Sequence, residues 1–414
     1  MSAITLDPSQ QRAVDLITSA HFALITGAPG TGKTTILKLA VGQLEAAGQR
    51  VALAAPTGKA ARRMAESTGR TASTIHRLLG YGPGGGFTVD RVDAHVVIVD
   101  ESSMLDYELA RELFQRCRGS ALILIGDANQ LPPIGPGRMF GDLVDSGTMP
   151  VARLTNVHRS VAGSWVARNA PKVLTGGPLE LDTCPGFEWL QVDDRDQIAP
   201  TVREFIAGLW DRGTPAPAPM VLGPVRRGPA GTEMGLAREL DPLLNALTPL
   251  AAPDEPILAR GDGLPLRAGT RVIQTRNDYA RQIMNGELAV IDLIEPGPRG
   301  NVHARFPEIY GDTPVAFTRA ESTSLDCAYG LTIHKVQGSQ FPHVIVVCHS
   351  THTRMLNRSL LYTAITRAQT RVTIVGDASG LDRALAKNAA ARDTTLVPRI
   401  TGKLEGGSDY ASNG

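Results

Sequence analysis

Eight residues, Gly27-Ala28-Pro29-Gly30-Thr31-Gly32-Lys33-Thr34, leave this chain few folds to choose from. They complete the pattern G-x-x-x-x-G-K-[ST] and directly follow the apolar run Phe22-Ala23-Leu24-Ile25-Thr26. A buried strand thus feeds a glycine-rich turn whose backbone N–H groups converge on phosphate oxygens. A helix starting at Gly32 points its positive end at the same anion. Lys33 has the reach for β- and γ-phosphates, and the Thr34 hydroxyl is of the type that ligates magnesium. Glycine-rich turns before helices are common, so a second signal matters. Val96-Val97-Ile98-Val99 runs into Asp100-Glu101, the strand-borne acid that the same chemistry needs. Together the two predict a nucleoside triphosphate hydrolase that uses magnesium.

At 414 residues the chain is long for one hydrophobic core, so several domains are expected. No apolar run approaches the roughly 20 residues that cross a bilayer. The opening MSAITLDPSQ lacks the basic-then-apolar layout of a secretion signal. Cys117, Cys184, Cys327 and Cys348 are scattered without a C-x-x-C pair, which suits reduced core thiols. These features predict a cytoplasmic protein with no membrane partner. The net charge of +1 supplies no global field for nucleic acid, so any such binding needs a local track of Lys and Arg.

The first half alternates apolar strands with amphipathic helices, the signature of an α/β parallel sheet covered on both faces. Asp7 reads as an N-cap with Pro8 and Gln10 at the first and third helical positions, the helix running to about Ser19. Further strands are expected at Val51–Ala55, Val96–Val99 and Ala121–Ile125. Between Leu79 and Ala94 a glycine-rich break carrying Tyr81 and Phe87 reads as a surface loop or a short β-hairpin. Pro/Ala-rich connectors at 212–219 and 247–256 bracket a strand at Met220–Leu222 and a helix near Thr232–Leu247. From Leu266 to about Ser322 the period shortens to two, which predicts a small antiparallel β module inserted in a second α/β domain. The alternation resumes at Val344–Cys348, Leu360–Thr366 and Val372–Gly376.

Six segments stand in one order: the phosphate loop, Ala55-Pro56-Thr57-Gly58-Lys59-Ala60-Ala61, Asp100-Glu101-Ser102-Ser103-Met104, Gly126-Asp127-Ala128-Asn129-Gln130-Leu131-Pro132-Pro133, the run GLTIHKVQGSQF over 330–341, and Tyr362-Thr363-Ala364-Ile365-Thr366-Arg367-Ala368. In that order the sequence resembles a superfamily 1 helicase of the RecD-like branch, grouped with 5′→3′ DNA translocases. The likeness extends over about residues 4–390, including the runs at 74–83 and 274–286. It implies a P-loop NTPase of two RecA-like parallel-sheet domains, at 1–180 and 181–401, with a tail at 402–414. A hairpin insertion at about 80–94 would belong to the first domain and a β-barrel-like insertion at about 266–322 to the second.

The resemblance also implies roles. Gly27, Pro29, Gly30, Thr31, Gly32, Lys33, Thr34 and Thr35 would cradle phosphates, Gln10 would read the adenine edge, and Gly338 would lie by the nucleotide. Gln10 suits a capping box equally well. Thr34 and Asp100 would hold magnesium, and Glu101 would orient and deprotonate the attacking water. Gln130 would sense the γ-phosphate, with Arg159 and Arg367 as two arginine fingers. Thr57, Gly58, Lys59, Thr74, His76, Thr332, His334 and Lys335 would line a single-strand groove, and Phe87 would belong to a pin dividing the duplex. By residue type alone, His76 and His334 fit core histidines better. Gln340 stands where the family often has Glu, the segment 223–228 matches a DNA-side loop only loosely, and the cluster Cys348, His349, His352 lacks the spacing of a zinc site.

The activity so implied is an ATP-dependent DNA helicase translocating 5′→3′ in replication, recombination or repair. It would be a minimal monomeric motor without the family's N-terminal extension, bacterial or phage-encoded, with ATP in a cleft between its domains. Its partners would be single-stranded DNA, single-strand/duplex junctions, and repair or replication proteins. Two other functions fit the same residues: a single-strand translocase that displaces proteins with little strand separation, and an ATP-switched nucleic-acid clamp.

Overall fold

A computed structural model describes residues 5–82, 85–157, 165–211, 218–228, 231–246, 256–259, 264–388 and 396–397. Contacts divide the chain into two compact units, residues 1–161 with 390–414, and residues 162–389.

In the first unit the capping box forms as the residues dictate. The Asp7 carboxylate accepts from the backbone N–H groups of Ser9 and Gln10 and starts helix α1, Pro8–Ser19. Strand β1, Phe22–Gly27, leads through the phosphate loop to α2, Lys33–Ala46. Then follow β2 (Val51–Ala55), α3 (Gly58–Thr68), β3 (Ala72–Thr74) and a single helical turn α4 (Ile75–Leu78). Strand β4 (Val96–Val99), α5 (Tyr107–Arg116), β5 (Ala121–Gly126), α6 (Met139–Ser146) and β6 (Val151–Leu154) complete it. The six strands form one sheet in the order β3-β2-β4-β5-β1-β6, every neighbouring pair parallel.

Parallel strands bury both faces, and the alternation of side chains sorts them. Ala23, Ile25, Ile98, Ile123 and Ile125 pack with α1 and α2 residues such as Val14, Ile17, Ile36 and Val41. Leu24, Val97, Val99, Leu122 and Leu124 face the other way, onto Ala110, Leu113, Phe140 and Leu143 of α5 and α6.

The 80–94 segment is less regular than a hairpin. Its strand pairing among the described residues is one antiparallel bridge, Tyr81 to Phe87, after which Val92 and Ala94 return to the core. Single backbone bonds flank that bridge, Gly82 N–H to the Gly86 carbonyl at 3.3 Å and Thr88 N–H to the Gly80 carbonyl at 3.2 Å, in a segment with five glycines at 80, 82 and 84–86.

The second unit holds two sheets. Strands β7 (Phe187–Gln191) and β8 (Met220–Gly223) belong to the first of them. Strands β9 (Arg271–Gln274), β10 (Leu288–Ile294), β11 (Val302–Arg305), β12 (Pro314–Phe317) and β13 (Leu325–Cys327) form the inserted module. Its order is β12-β11-β10-β9-β13, antiparallel throughout, around Val272, Ile291, Ala304, Phe306 and Phe317. Strands β14 (Gly330–Thr332), β15 (Phe341–Cys348) and β16 (Ala368–Gly376) return to the first sheet. That sheet runs β14-β8-β15-β16-β7, all parallel. The expected helix near Thr232–Leu247 begins as a wider π turn at Thr232–Leu236 and continues as an α-helix at Ala237–Ala246.

Leu24 has no solvent exposure and lies mid-sheet. Leu24→Ala is expected to cost the first unit about 2–5 kcal/mol. Urea unfolding followed by circular dichroism, which would show an earlier first transition, checks this.

Candidate nucleotide and nucleic-acid sites

Because the first sheet is wholly parallel, every strand ends on one edge, where ligands of open α/β sheets bind. The phosphate loop leaves β1 there, Thr57 follows β2, Asp100-Glu101 follows β4, and Asp127–Gln130 follows β5. Motifs dispersed over more than 100 residues of chain meet in this way.

The loop itself closes tightly. Gly30 and Gly32 adopt φ of 86° and 87°, a region costly for residues with a Cβ. A Cβ on Gly32 would stand 2.5 Å from Gln10 Nε2. Gln10, only 5% exposed, does both jobs open to it in the sequence. Its Oε1 accepts from the Asp7 N–H at 3.1 Å, and its Nε2 donates to the Thr31 carbonyl at 3.2 Å. Helix α1 is thereby pinned to the phosphate loop. Lys33 Nζ donates to the carbonyls of Gly27 and Ala28, at 2.5 and 3.1 Å, so its ammonium lies over the loop. Thr34 is exposed at the start of α2.

Asp100 lies at the end of β4, its Oδ1 accepting from the Glu101 N–H at 2.8 Å. Desolvation, then the adjacent Glu101 charge, pushes its pKa up to about 6, against the pull of that hydrogen bond and of Lys33. Glu101 has φ of 51°, left-handed backbone that a glutamate adopts only when its surroundings hold it there. A divalent cation would remove the penalty on Asp100, so a half-buried carboxylate beside a lysine, with an exposed threonine hydroxyl at the start of α2, suits magnesium-nucleotide chemistry. Gln130 is buried, and its Nε2 donates to Asp127 Oδ2 at 3.3 Å. Asp127 also accepts from the Asn129 N–H at 3.1 Å. It was not singled out in the sequence, although an acid three residues before the glutamine was a legible signal.

The expected DNA-side residues of this unit are partly committed to structure. Thr57 and Thr74 use their hydroxyls to cap α3 and α4, accepting from Ala60 and Arg77 N–H groups. Gly58 opens α3, and Lys59 is only 5% exposed. His76 contacts the Tyr81 ring edge-on at 5.3 Å and stacks with Phe87 at 6.0 Å; burial lowers its pKa despite the charge of Asp106. Phe87 is covered by the Arg116 guanidinium, 5.1 Å from its centroid, and is half-buried. Tyr81, 51% exposed, is the outward aromatic of the pair.

In the second unit the expected residues separate onto opposite edges of the parallel sheet. Thr332 ends β14 and His334 and Lys335 follow it, with Lys335 Nζ 3.9 Å from Asp326. Gly338 and Ser339 precede β15, and Arg367 precedes β16. Arg367 is 2% exposed, donating from Nε to the Thr363 carbonyl and from Nη1 to the Ser339 carbonyl, each at 3.2 Å. Gly338, with φ of 75°, turns the chain there. Arg159 lies outside the described residues. His349 donates from Nε2 to the Asp193 carbonyl and accepts at Nδ1 from the Thr351 N–H, while burial raises the Cys348 thiol to about 12.

Residues 5–194 match the AAA domain family and residues 327–375 the UvrD-like helicase C-terminal domain. The RecBCD enzyme subunit RecD of Mycobacterium tuberculosis is 33% identical over 92% of this chain and 71% of its own length. The chain belongs to the RecD family of DNA helicases. The ATP-dependent RecD2 DNA helicase of Deinococcus radiodurans is 37% identical over 95% of this chain, which spans 52% of that relative's length. In fold, the chain matches a Pif1 helicase structure titled for DNA unwinding at forked duplex, with a TM-score of 0.57, 19% identity, and coverage of 97% of this chain and 98% of that one. That likeness in fold agrees with two RecA-like parallel-sheet units. The RecD-family chain has no described helix long and apolar enough to cross a membrane.

The raised Asp100 carries a pH signature. Its folded pKa of about 6 exceeds the unfolded value of 3.8, so the stability it contributes is present below about 4 and lost as pH rises through 6. Nucleotide-free Asp100→Asn should therefore melt higher than wild type at pH 8, with the gain vanishing towards pH 4. Thermal melts across that range, without magnesium, check the sign.

Proposed function

We propose that this RecD-family chain is an ATP-driven motor that moves 5′→3′ along single-stranded DNA and separates the duplex ahead of it, in replication, recombination or repair. The convergence of the phosphate loop, Asp100-Glu101 and Gln130 on one edge of a parallel sheet carries this reading. Magnesium-ATP, when bound, supplies the transferable γ-phosphoryl group and the neutralising cation. Thr34 and Asp100 would hold the cation, and residues 27–35, Lys33 among them, would hold the phosphates. Glu101 accepts the proton of the attacking water. Gln130, steadied by Asp127, takes a water–phosphate hydrogen bond, and Gln10 holds the adenine edge. Arg367 and Arg159 offset charge that develops on the γ-phosphate, with Gly338 shaping the turn beside Arg367.

For DNA, the segments at 57–59, 74–76 and 332–335 grip phosphates and bases without reading sequence. The motor acts as a monomer in the cytoplasm of a bacterium or an infected one, alongside repair or replication proteins. A second reading, a translocase with weak strand separation, is favoured by the single-bridge 80–94 segment and the inward packing of Phe87.

Matched duplexes with a 5′ or a 3′ single-stranded tail test the proposal, with Lys33→Ala as the inactive control. Unwinding of the 5′-tailed duplex alone is expected; unwinding from the 3′ tail overturns the direction. DNA-stimulated hydrolysis with neither duplex opened establishes the translocase. Arg367→Ala should bind nucleotide nearly normally and lose about 10³–10⁵ in turnover. Turnover like wild type's removes the residue from the chemistry.

A further inference from the structure

The run at 274–286 takes no part in the roles above, yet it builds a stiff protrusion on the β module. Asp278 and Ile283 exchange backbone hydrogen bonds of 2.7 and 2.9 Å, closing the loop Tyr279-Ala280-Arg281-Gln282. Ile283, fully buried, roots the loop in the module's core. Arg281 clamps it from within, pairing with Asp278 at 2.6 Å and Glu321 at 2.9 Å while lying 5.1 Å from the Phe317 centroid. The Tyr310 hydroxyl donates to the Arg281 carbonyl, and the Asn285 N–H to Asn277 Oδ1 at 2.9 Å. Gln282 completes the turn with φ of 53°.

This scaffold holds the Tyr279 ring out in water. Tyr279 is 63% exposed, and Asn277 Nδ2 donates to its phenol oxygen at 3.1 Å. Three residues earlier Arg276 is exposed and makes no ion pair among the described residues. Against desolvation, hydrogen bonds and the charge of Arg281 lower the Asp278 pKa, and hydrogen bonds from Thr318 and Arg281 lower that of Glu321, so both stay charged and paired. The ring's sequence neighbours Arg276, Asn277, Ala280 and Gln282 are polar or small. Tyr310, 37% exposed, is a second ring at this loop, and two rings among polar neighbours fall short of a contiguous apolar patch for a protein hot spot. A pre-ordered ring with an exposed cation three residues away along the chain is instead the chemistry of sequence-tolerant single-strand binding, in which a base stacks and a phosphate is gripped.

The geometry points to Tyr279 and Arg276 as a base-stacking and phosphate-gripping pair for single-stranded nucleic acid on the β module. This deepens the DNA-motor reading and rests on it. The test is fluorescence anisotropy of the full chain with an oligothymidylate and with an abasic oligonucleotide of equal length. Tyr279→Ala should weaken oligothymidylate binding about 5- to 150-fold, Tyr279→Phe should restore it, and the abasic strand should not distinguish them. Arg276→Ala should lower the salt dependence of binding by about one phosphate contact on both strands. Equal oligothymidylate affinity for wild type and Tyr279→Ala overturns the proposal and leaves the motor intact. Failure of wild type to bind either strand overturns the motor's substrate and this contact together. Melting temperatures of the variants equal to wild type's show that binding, rather than folding, has changed.

Discussion

Parallel pairing of β1 with β5 and β6 is the constraint on which the nucleotide site depends. Because strand directions agree, the turns after β1, β4 and β5 emerge on one edge, and each turn delivers one chemical group. An antiparallel neighbour would send its turn to the far edge and leave Lys33 without Asp100. The pairing holds because Leu24 and Ile25 have no access to water, one on each face, so a one-residue slip would turn both faces inside out. Burial energy and site geometry are thus the same fact seen at two scales.

The site is also held where conformation is least comfortable. Glu101 occupies left-handed backbone, Asp100 carries its charge against desolvation, and Gln10 leaves no room for a side chain on Gly32. Such local costs persist where the surrounding sheet over-determines them. They place carboxylates, lysine and glycine turn where a charged nucleotide and its cation, on the proposed function, would relieve the strain. Gln10 adds a mechanical link, since one side chain caps α1 and grips the phosphate loop.

Much of this was legible in residue order. The capping box at Asp7 and Gln10, the strands, the β module and the phosphate loop follow from spacing and periodicity. These are local signals, set by a few neighbouring residues. The 80–94 segment was ambiguous because glycines permit many turns, and only its packing shows one bridge with Phe87 beneath Arg116. Lys59, a basic residue in the sequence, is buried; the hydroxyls of Thr57 and Thr74 serve as caps. No periodicity announces such commitments, because the same side chain can cap a helix or face a ligand.

The sequence by itself determined the chemistry: a phosphate loop, an acid pair and a run of motifs whose order admits a RecD-family helicase. It could do so because each motif is a short stretch whose backbone and side chains act together. Tertiary structure alone decided which of those side chains meet, which are spent on capping and packing, and which remain outside. Tyr279 is the clearest instance. Its exposure comes from Arg281 pairing with Asp278 and Glu321 and from Ile283 buried in the module, contacts that span up to 40 residues of chain. Distance along the chain hides such contacts, and only folding brings them within reach of a hydrogen bond.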